Sequence, residues 1–372
     1  HWLSIITIKC RQNKMKLKKL KWVHYFLNLY NPLFGKMKKT ATFSSDIKFN
    51  SIVIFSTTAL GDFMFNTPAI RAIRAHYPDA HITLVSSVKN KLLVENYEQI
   101  DSVVYWDNKI RNLLPVALQA KKYKPELAII LHSHLPYDVL FAVMAGCQYI
   151  LRNTFHVIPE WFRKWIIAEH QPSQYHVIQS KLNIIRYLGI DCSDTRMELP
   201  CKIEPLAQSN NSIVGFQMGA STQERRWPVG SFVELAKKLI DSAPLLQIKL
   251  IGSSRELELP EEFFALLPER YHQNIENLVG KTSLPDLLSQ IKTMAVLVTG
   301  DTGPLHLAIA LQVPTVSLFV TANPKWTGPY QDLDIHTIIH KIPQQDENRA
   351  LSMDLITVDE VLTAVNNTLK DK

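Results

Sequence analysis

A carboxylate in a short glycine-containing segment is the first feature of the sequence that could do chemistry. Residues 57–62 (TTALGD) follow a β-branched run and precede a helical stretch. Gly61 permits a close backbone approach, and the carboxylate of Asp62 stands at the start of the helical stretch. Asp is also a common helix-capping residue, so this segment taken alone is more typical of a helix start.

A second segment carries hydrogen-bond donors that suit phosphate oxygens. Residues 219–228 (GASTQERRWP) contain the hydroxyls of Ser221 and Thr222 and the guanidinium of Arg225. A guanidinium presents a planar fork of N–H groups that matches the oxygens of a phosphate. Taken alone, the segment is also typical of a solvated basic loop.

A third segment leads directly from an apolar run into a helix. Residues 299–306 (TGDTGPLH) include Asp301, Thr302, Gly303 and His306. Backbone N–H groups at a helix start, together with the positive end of the helix, make an anion site. A plain capped connection, with His306 as a packing residue, is the alternative.

The elements that must position these segments alternate between strand and helix. The pattern predicts strands at 51–56, 81–85, 103–106 and 127–131, and after a polar connection a second series at 212–216, 246–251, 294–298 and 315–319. Helical stretches between them indicate parallel sheets covered on both faces, hence an α/β fold class. Ligands of such sheets bind beyond the carboxyl ends of the strands, where the three segments stand. The predicted domains are 1–48, a basic amphipathic arm, 49–200 and 201–372.

Together the three segments resemble a known family. GD in the first, GAS followed by RRWP in the second, and DTGPLHLAIAL with the nearby VPTVSLF are similar to glycosyltransferase family 9, the ADP-heptose:lipopolysaccharide heptosyltransferases. The resemblance covers residues 51–330. It implies a GT-B architecture, with two Rossmann-like domains facing across a cleft, the acceptor held mainly by the first and the donor by the second. It also implies an inverting reaction without a metal or another cofactor, with a nucleotide sugar, ADP-heptose, as substrate.

The resemblance also assigns roles to individual residues. Asp62 would be the general base of the acceptor-side loop that contains Thr58 and Gly61. The diphosphate leaving group would be held by Ser221, Thr222, Arg225, Thr302 and Gly303. Asp301 would lie near the donor sugar, His306 would support the site, and Glu256 could accept hydrogen bonds from the ribose.

Some features depart from this pattern or suggest another function. Arg225 stands where the family commonly has Lys, so another nucleotide sugar, a UDP-hexose or UDP-N-acetylhexosamine, remains an alternative donor. A nicotinamide-dependent oxidoreductase is disfavoured because GxGxxG is absent after the first strand, and a non-catalytic carbohydrate- or nucleotide-binding protein is a further alternative. Asp332 and Asp334 have DxD spacing but lie away from the three segments, so no metal site is predicted.

The charge of the chain is concentrated at its beginning. Residues 1–48 hold eleven Lys and Arg against one acid, a balance of +10, which leaves 30 basic and 33 acidic residues for the rest of the 372. A nearly neutral body argues against a nucleic-acid partner. Bases interleaved with aromatic and aliphatic residues over 16–39 suit an anionic bilayer surface. Together with this arm, the family resemblance implies a cytoplasmic protein that is peripheral at the inner face of the inner membrane and acts on a lipid A–core acceptor. A solvated, partly disordered tail is the alternative for the arm.

Overall fold

The computed structural model describes residues 2–152, 158–167, 175–206, 211–342 and 353–370, and side chains from residue 16 onward. It divides into two compact units. Unit 1 comprises His1–Ala59 and Phe65–Thr195, and unit 2 comprises Leu60–Met64 and Arg196–Lys372. The short stretch Leu60–Met64 therefore clusters with the later part of the chain. Part of the polar connection between the two strand series, 207–210, lies outside the described residues.

Unit 1 contains a five-stranded parallel sheet in the order β3-β2-β1-β4-β5. Every residue of the strand SIVIFS is buried, as expected where helices cover both faces of a sheet. The strands are β1 (Ser51–Ser56), β2 (His81–Ser86), β3 (Ser102–Tyr105), β4 (Leu127–His132) and β5 (Tyr149–Arg152). The helices are α1 (Trp2–Phe34), α3 (Thr67–His76), α4 (Lys91–Val94), α5 (Leu113–Lys121), α6 (Tyr137–Ala145), α7 (Glu160–Arg163) and α8 (Val177–Ile185).

Unit 2 contains a six-stranded parallel sheet in the order β11-β10-β9-β6-β7-β8. Its strands are β6 (Ile213–Gln217), β7 (Gln247–Ile251), β8 (Ile275–Asn277), β9 (Val296–Gly300), β10 (Thr315–Phe319) and β11 (His336–His340). Its helices are α2 (Leu60–Met64), α9 (Val229–Ser242), α10 (Glu258–Leu266), α11 (Leu284–Lys292), α12 (Gly303–Ala310), α13 (Pro324–Thr327) and α14 (Val358–Lys370). Two Rossmann-like parallel α/β units confirm the predicted fold class.

The basic arm forms a helix that docks on unit 1. Val23 and Leu27 of α1 are fully buried in the hydrophobic core that also contains residues of α5 and α6. The indole Nε1 of Trp165 donates a hydrogen bond of 3.2 Å to His24 Nδ1. Between Lys16 and Phe34 the arm is therefore a packed helix and not a solvated tail. Within the described part of the chain no helix, α1 included, combines the length and the apolar composition that crossing a bilayer requires.

A buried ion pair at the carboxyl ends of β4 and β5 gives a stability prediction for unit 1. Arg152 Nη2 lies 2.8 Å from Asp138 Oδ2, and both side chains are almost completely buried. Replacing Asp138 with Asn leaves the guanidinium buried without its counter-ion, so we expect a loss of about 3–5 kcal/mol in the free energy of unfolding. Urea titration of the wild type and the variant measures this difference.

The matched control is an ion pair whose side chains are exposed to solvent. Lys238 and Asp359 are 2.6 Å apart, but their side chains are 45% and 79% exposed. Replacing Asp359 with Asn is expected to cost less than about 1 kcal/mol. Equal losses for the two Asn variants would contradict the role assigned to burial.

Candidate functional site

The third segment forms the turn between β9 and α12. Thr302 precedes the helix in an extended conformation, with φ −138°, and its hydroxyl lies 3.0 Å from that of Thr299. Pro304 occupies the first turn, where a backbone N–H would have no hydrogen-bond partner within the helix and its absence costs no bond. The first N–H groups of a helix have no partner within it, so the start of α12 at Gly303 can bind an anion.

The second segment is tied to the third by an ion pair. Arg225 Nη2 donates to Asp301 Oδ2 at 2.8 Å and also to the Asp301 carbonyl oxygen, while its Nη1 donates to Ser221 Oγ at 3.2 Å. The Arg225 side chain is only 32% exposed and that of Asp301 13%. The two segments meet because β6 and β9 are parallel neighbours, so their carboxyl ends share one edge of the sheet. Arg225 is therefore held in place and is not part of a solvated loop.

Asp301 lies between two basic groups. Its Oδ1 is 3.6 Å from Nε2 of the buried His306, and its Oδ2 faces Arg225. Burial acts to raise the pKa of the Asp301 carboxyl, but the neighbouring His306 and Arg225 outweigh it and lower that pKa below its ordinary value. Asp301 is consequently ionised at neutral pH and fixes the orientation of the Arg225 guanidinium.

The first segment meets the third within unit 2. A Cβ on Gly61 would lie 3.1 Å from Cδ2 of His306 and 3.3 Å from the Gly303 Cα, so α2 packs directly on the start of α12. Asp62 is the next residue, the third of α2, and it is exposed. The third position lies inside the helix, one turn from the usual capping position. An exposed carboxylate therefore stands one residue from the contact with the anion-binding turn.

Glu256 lies against the beginning of the second segment. A Cβ on Gly219 would be 1.7 Å from Glu256 Oε1, so only glycine allows this approach. The other oxygen, Oε2, accepts hydrogen bonds from the Ser253 N–H at 2.6 Å and the Ser253 hydroxyl at 2.9 Å. The structure thus brings Glu256 to the second segment, where Ser221 and Thr222 are exposed.

Thr58 belongs to unit 1, apart from Gly61 and Asp62 in unit 2. Its carbonyl accepts a hydrogen bond of 2.9 Å from Asn90, and it lines a cavity of about 630 Å³ at the carboxyl ends of β1, β2 and β3. Asn108, which the sequence reasoning missed, lines the same cavity in a left-handed conformation, with φ 61°, and accepts from the Thr57 hydroxyl at 2.8 Å. The available signal was an Asp-Asn pair directly after a strand, since Asn tolerates positive φ.

The first residue of the DxD spacing, Asp332, makes a structural contact in unit 2. Arg196 Nη2 donates hydrogen bonds to both carboxylate oxygens of Asp332, at 2.8 Å to Oδ1 and 2.6 Å to Oδ2. Over the described ranges no group of three or more His, Cys, Asp or Glu side chains is arranged to hold a metal ion.

Comparisons with known proteins identify the family and the fold of the chain. The profile of glycosyltransferase family 9 (heptosyltransferase) matches residues 166–356, just over half of the chain. Lipopolysaccharide heptosyltransferase 2 of Escherichia coli (strain K12) is 24% identical over 347 residues, covering 86% of this chain and 98% of that protein. The crystal structure of a family 9 glycosyl transferase from Veillonella parvula DSM 2008 superposes with a TM-score of 0.74 at 22% identity, covering 88% of this chain and 100% of that one. E. coli ADP-heptose lps heptosyltransferase II gives a TM-score of 0.68 at 22% identity, with 86% and 99% covered. The chain therefore belongs to glycosyltransferase family 9 and is a glycosyltransferase with the GT-B type fold.

Proposed function

We propose that this glycosyltransferase moves a heptose from ADP-heptose to the inner core of lipopolysaccharide, with inversion at the anomeric carbon and without a metal. The observation that carries the proposal is the packing of Gly61 on Gly303 and His306. Asp62, the next residue, carries an exposed carboxylate, and the turn at the start of α12 can bind the diphosphate of a donor, which supports the proposal. The proteins similar to this chain are named lipopolysaccharide heptosyltransferases, and one of the solved structures names ADP-heptose.

Each residue of the site has a place in this reaction. Asp62 takes the proton of the acceptor hydroxyl as the oxygen forms its bond to the anomeric carbon. The bond from that carbon to the diphosphate breaks, and ADP leaves with the bonding electrons. Arg225 and the N–H groups at the start of α12 stabilise the growing negative charge, because they are oriented before the reaction begins. Ser221 and Thr222 supply further donors, and Glu256 accepts from the ribose hydroxyls.

Asp301 and His306 act through the donor side of the site. Asp301 holds the Arg225 guanidinium and lies near the donor sugar, and His306 supports Asp301 from the first turn of α12. No cofactor is required by this scheme, since the leaving group is stabilised by side chains and backbone N–H groups alone.

The acceptor proposed for the enzyme is the lipid A–core molecule, a lipid of the inner membrane. Thr58 lies in the wall of the unit 1 cavity, and Gly61 and Asp62 follow it within four residues. The arm would hold the enzyme at the cytoplasmic face of this membrane as a peripheral protein, because lysines accompany a row of exposed apolar side chains on α1: Trp22, Tyr25, Leu29 and Leu33.

A donor screen tests the proposed substrate. With truncated core lipid as acceptor, we expect ADP-heptose to be used in preference to UDP-hexoses and UDP-N-acetylhexosamines, and the rate to be unchanged by EDTA. Product formation is measured by mass spectrometry, with the Asp62→Asn variant as the background control. Preference for a UDP-sugar would remove heptose from the proposal, and loss of transfer in EDTA would contradict its metal independence.

A further inference from the structure

An apolar surface on unit 1, around α4 and α5, is exposed among the residues that the structure describes. Its members, which we call the α5 patch, are between 43% and 63% exposed: Val88, Leu92, Ile110, Leu114 and Leu118. Ile110, Leu114 and Leu118 are four residues apart, a spacing that places them along one side of α5 and the turn before it. Isolated exposed apolar residues are common, but a row of this kind usually marks an interaction surface.

The charges around the α5 patch are mainly positive. Residues 88–94 and 108–124, which carry the patch, contain seven bases and no acid: Lys89, Lys91, Lys109, Arg111, Lys121, Lys122 and Lys124. All seven are exposed. Two of these bases, Lys91 and Lys109, form weak ion pairs of 3.9 Å with Glu95 and Asp107. The positive charge still exceeds the negative, and a surface that combines apolar side chains with excess positive charge complements an anionic lipid surface.

The two segments that carry the patch also form walls of the unit 1 cavity. Val88 and Lys89 line it from the first segment, and Lys109, Asn112 and Val116 from the second. Polar groups at the carboxyl end of β1 line the same cavity. A polar cavity walled by residues of an apolar, basic surface suits an amphiphile whose head group enters the cavity while its acyl chains stay in a bilayer.

The exposed apolar row of α1 lies on the same side of the unit 1 sheet. Both α1 and α5 pack on α6, and Leu27, Ala117 and Val139, one from each helix, belong to one core cluster. Two apolar and basic surfaces on one layer of helices favour an extended lipid surface over a small protein partner.

We propose that the α5 patch docks unit 1 on an anionic bilayer and thereby presents the cavity to a membrane-embedded acceptor. This surface is distinct from the arm, and the proposal does not depend on the donor sugar, because vesicle binding is measured without transfer.

Co-sedimentation of the full chain with vesicles tests the proposal. Wild type is expected to bind vesicles of phosphatidylglycerol and phosphatidylethanolamine and to bind phosphatidylcholine vesicles weakly. The variant Leu114→Glu/Leu118→Glu is expected to bind the anionic vesicles at least about tenfold more weakly, since it loses apolar contacts and adds repulsive charge. A second variant, Lys121→Glu/Lys122→Glu, reverses two exposed charges and is expected to weaken binding in the same direction.

The matched control is Leu245→Glu/Leu333→Glu, which changes two exposed leucines of unit 2. Its binding is expected to equal that of wild type, and thermal melting checks that every variant is folded. For the patch variants, KM should rise for acceptor embedded in vesicles and stay unchanged for a delipidated, soluble acceptor.

Two results would overturn the proposal. If both patch variants bind anionic vesicles as strongly as the wild type does, the α5 patch does not contact lipid. A change of molar mass in light scattering with unaltered vesicle binding would identify the patch as an interface between copies of this chain. The arm is tested separately by Trp22→Glu/Leu29→Glu, so failure of the arm proposal can be distinguished from failure of this one.

Discussion

Replacing Asp62 with Asn is expected to lower kcat by about 10²–10⁴-fold, the contribution typical of a positioned general base. The amide keeps the size of the side chain and its ability to accept hydrogen bonds, but it cannot take the acceptor proton. Donor binding should be nearly unchanged, because Asp62 is assigned to the acceptor hydroxyl and not to the diphosphate. Steady-state transfer rates and calorimetric titration with ADP measure the two effects separately.

Asp286 offers a matched control for the position of Asp62 in its helix. Asp286 is the third residue of α11, as Asp62 is of α2, and it forms a capping box with Ser283. The Asp286→Asn variant should lose about 1 kcal/mol of stability, as for other caps, while kcat stays at the wild-type value. Wild-type kcat in Asp62→Asn would show that Asp62 is not the base.

Replacing Arg225 with Met is expected to lower kcat/KM by about 10²–10³-fold, the loss typical of removing one preorganised donor from a developing negative charge. The variant also leaves the Asp301 carboxylate without its ion-pair partner. Arg225→Lys keeps the charge but loses the planar fork, so its activity should lie between those of the wild type and the Met variant. Initial rates at varied donor concentration measure these effects.

The same pair gives a dependence of stability on pH. Against the effect of burial, His306 and Arg225 lower the pKa of Asp301 in the folded protein, so the stability that the ionised carboxylate contributes is fully present above the ordinary Asp value of 3.8 and is lost as the pH falls through the lower folded pKa. Removing Arg225 raises the pKa of Asp301 in the folded protein. The contribution of the ionised Asp301 carboxylate to stability should therefore already be lost at a higher pH than in the wild type. Urea titrations at several pH values compare the wild type with Arg225→Met.

The adjacent arginine provides the control for the second prediction. Arg226 donates to the Ala220 carbonyl and lies 3.4 Å from Glu258, so these contacts do not involve Asp301. Arg226→Met is expected to change kcat/KM by less than about threefold, because Arg226 pairs with Glu258 and this ion pair is partly exposed to solvent. Equal losses for the two Met variants would show that Arg225 has no special role at the diphosphate.

Strands buried on both faces were the elements that the sequence predicted best. The predicted bounds of β1 and β10 agree with the structure, and those of β2 and β4 differ by one residue. Near-continuous apolar runs between turn residues cause this agreement, since both faces of a parallel sheet are covered. The predicted strand 294–298 lies two residues too early, since β9 is Val296–Gly300. Its last two residues, Thr299 and Gly300, are not part of the apolar run on which the prediction rests.

Elements without a clear periodicity were missed. In α6 nearly every residue is buried, so no polar face marks it as a helix. The strand β5 has only four residues, and β11 lies at the edge of its sheet, where only its first residue, His336, is buried. Short or edge elements depend on their neighbours in space, which local patterns do not encode.

The sequence by itself determined the fold class, the three polar segments after apolar strands and the residue types that suit a sugar transfer from a nucleotide. The structure alone decided that Arg225 is tied to Asp301 and that Gly61 packs on Gly303 and His306. It also decided that the helix of the arm docks on unit 1. These contacts join residues far apart in the chain, and they depend on the order of strands in a sheet and on which helices pack together. Local periodicity and residue type predict the elements, but tertiary packing decides which of their ends meet.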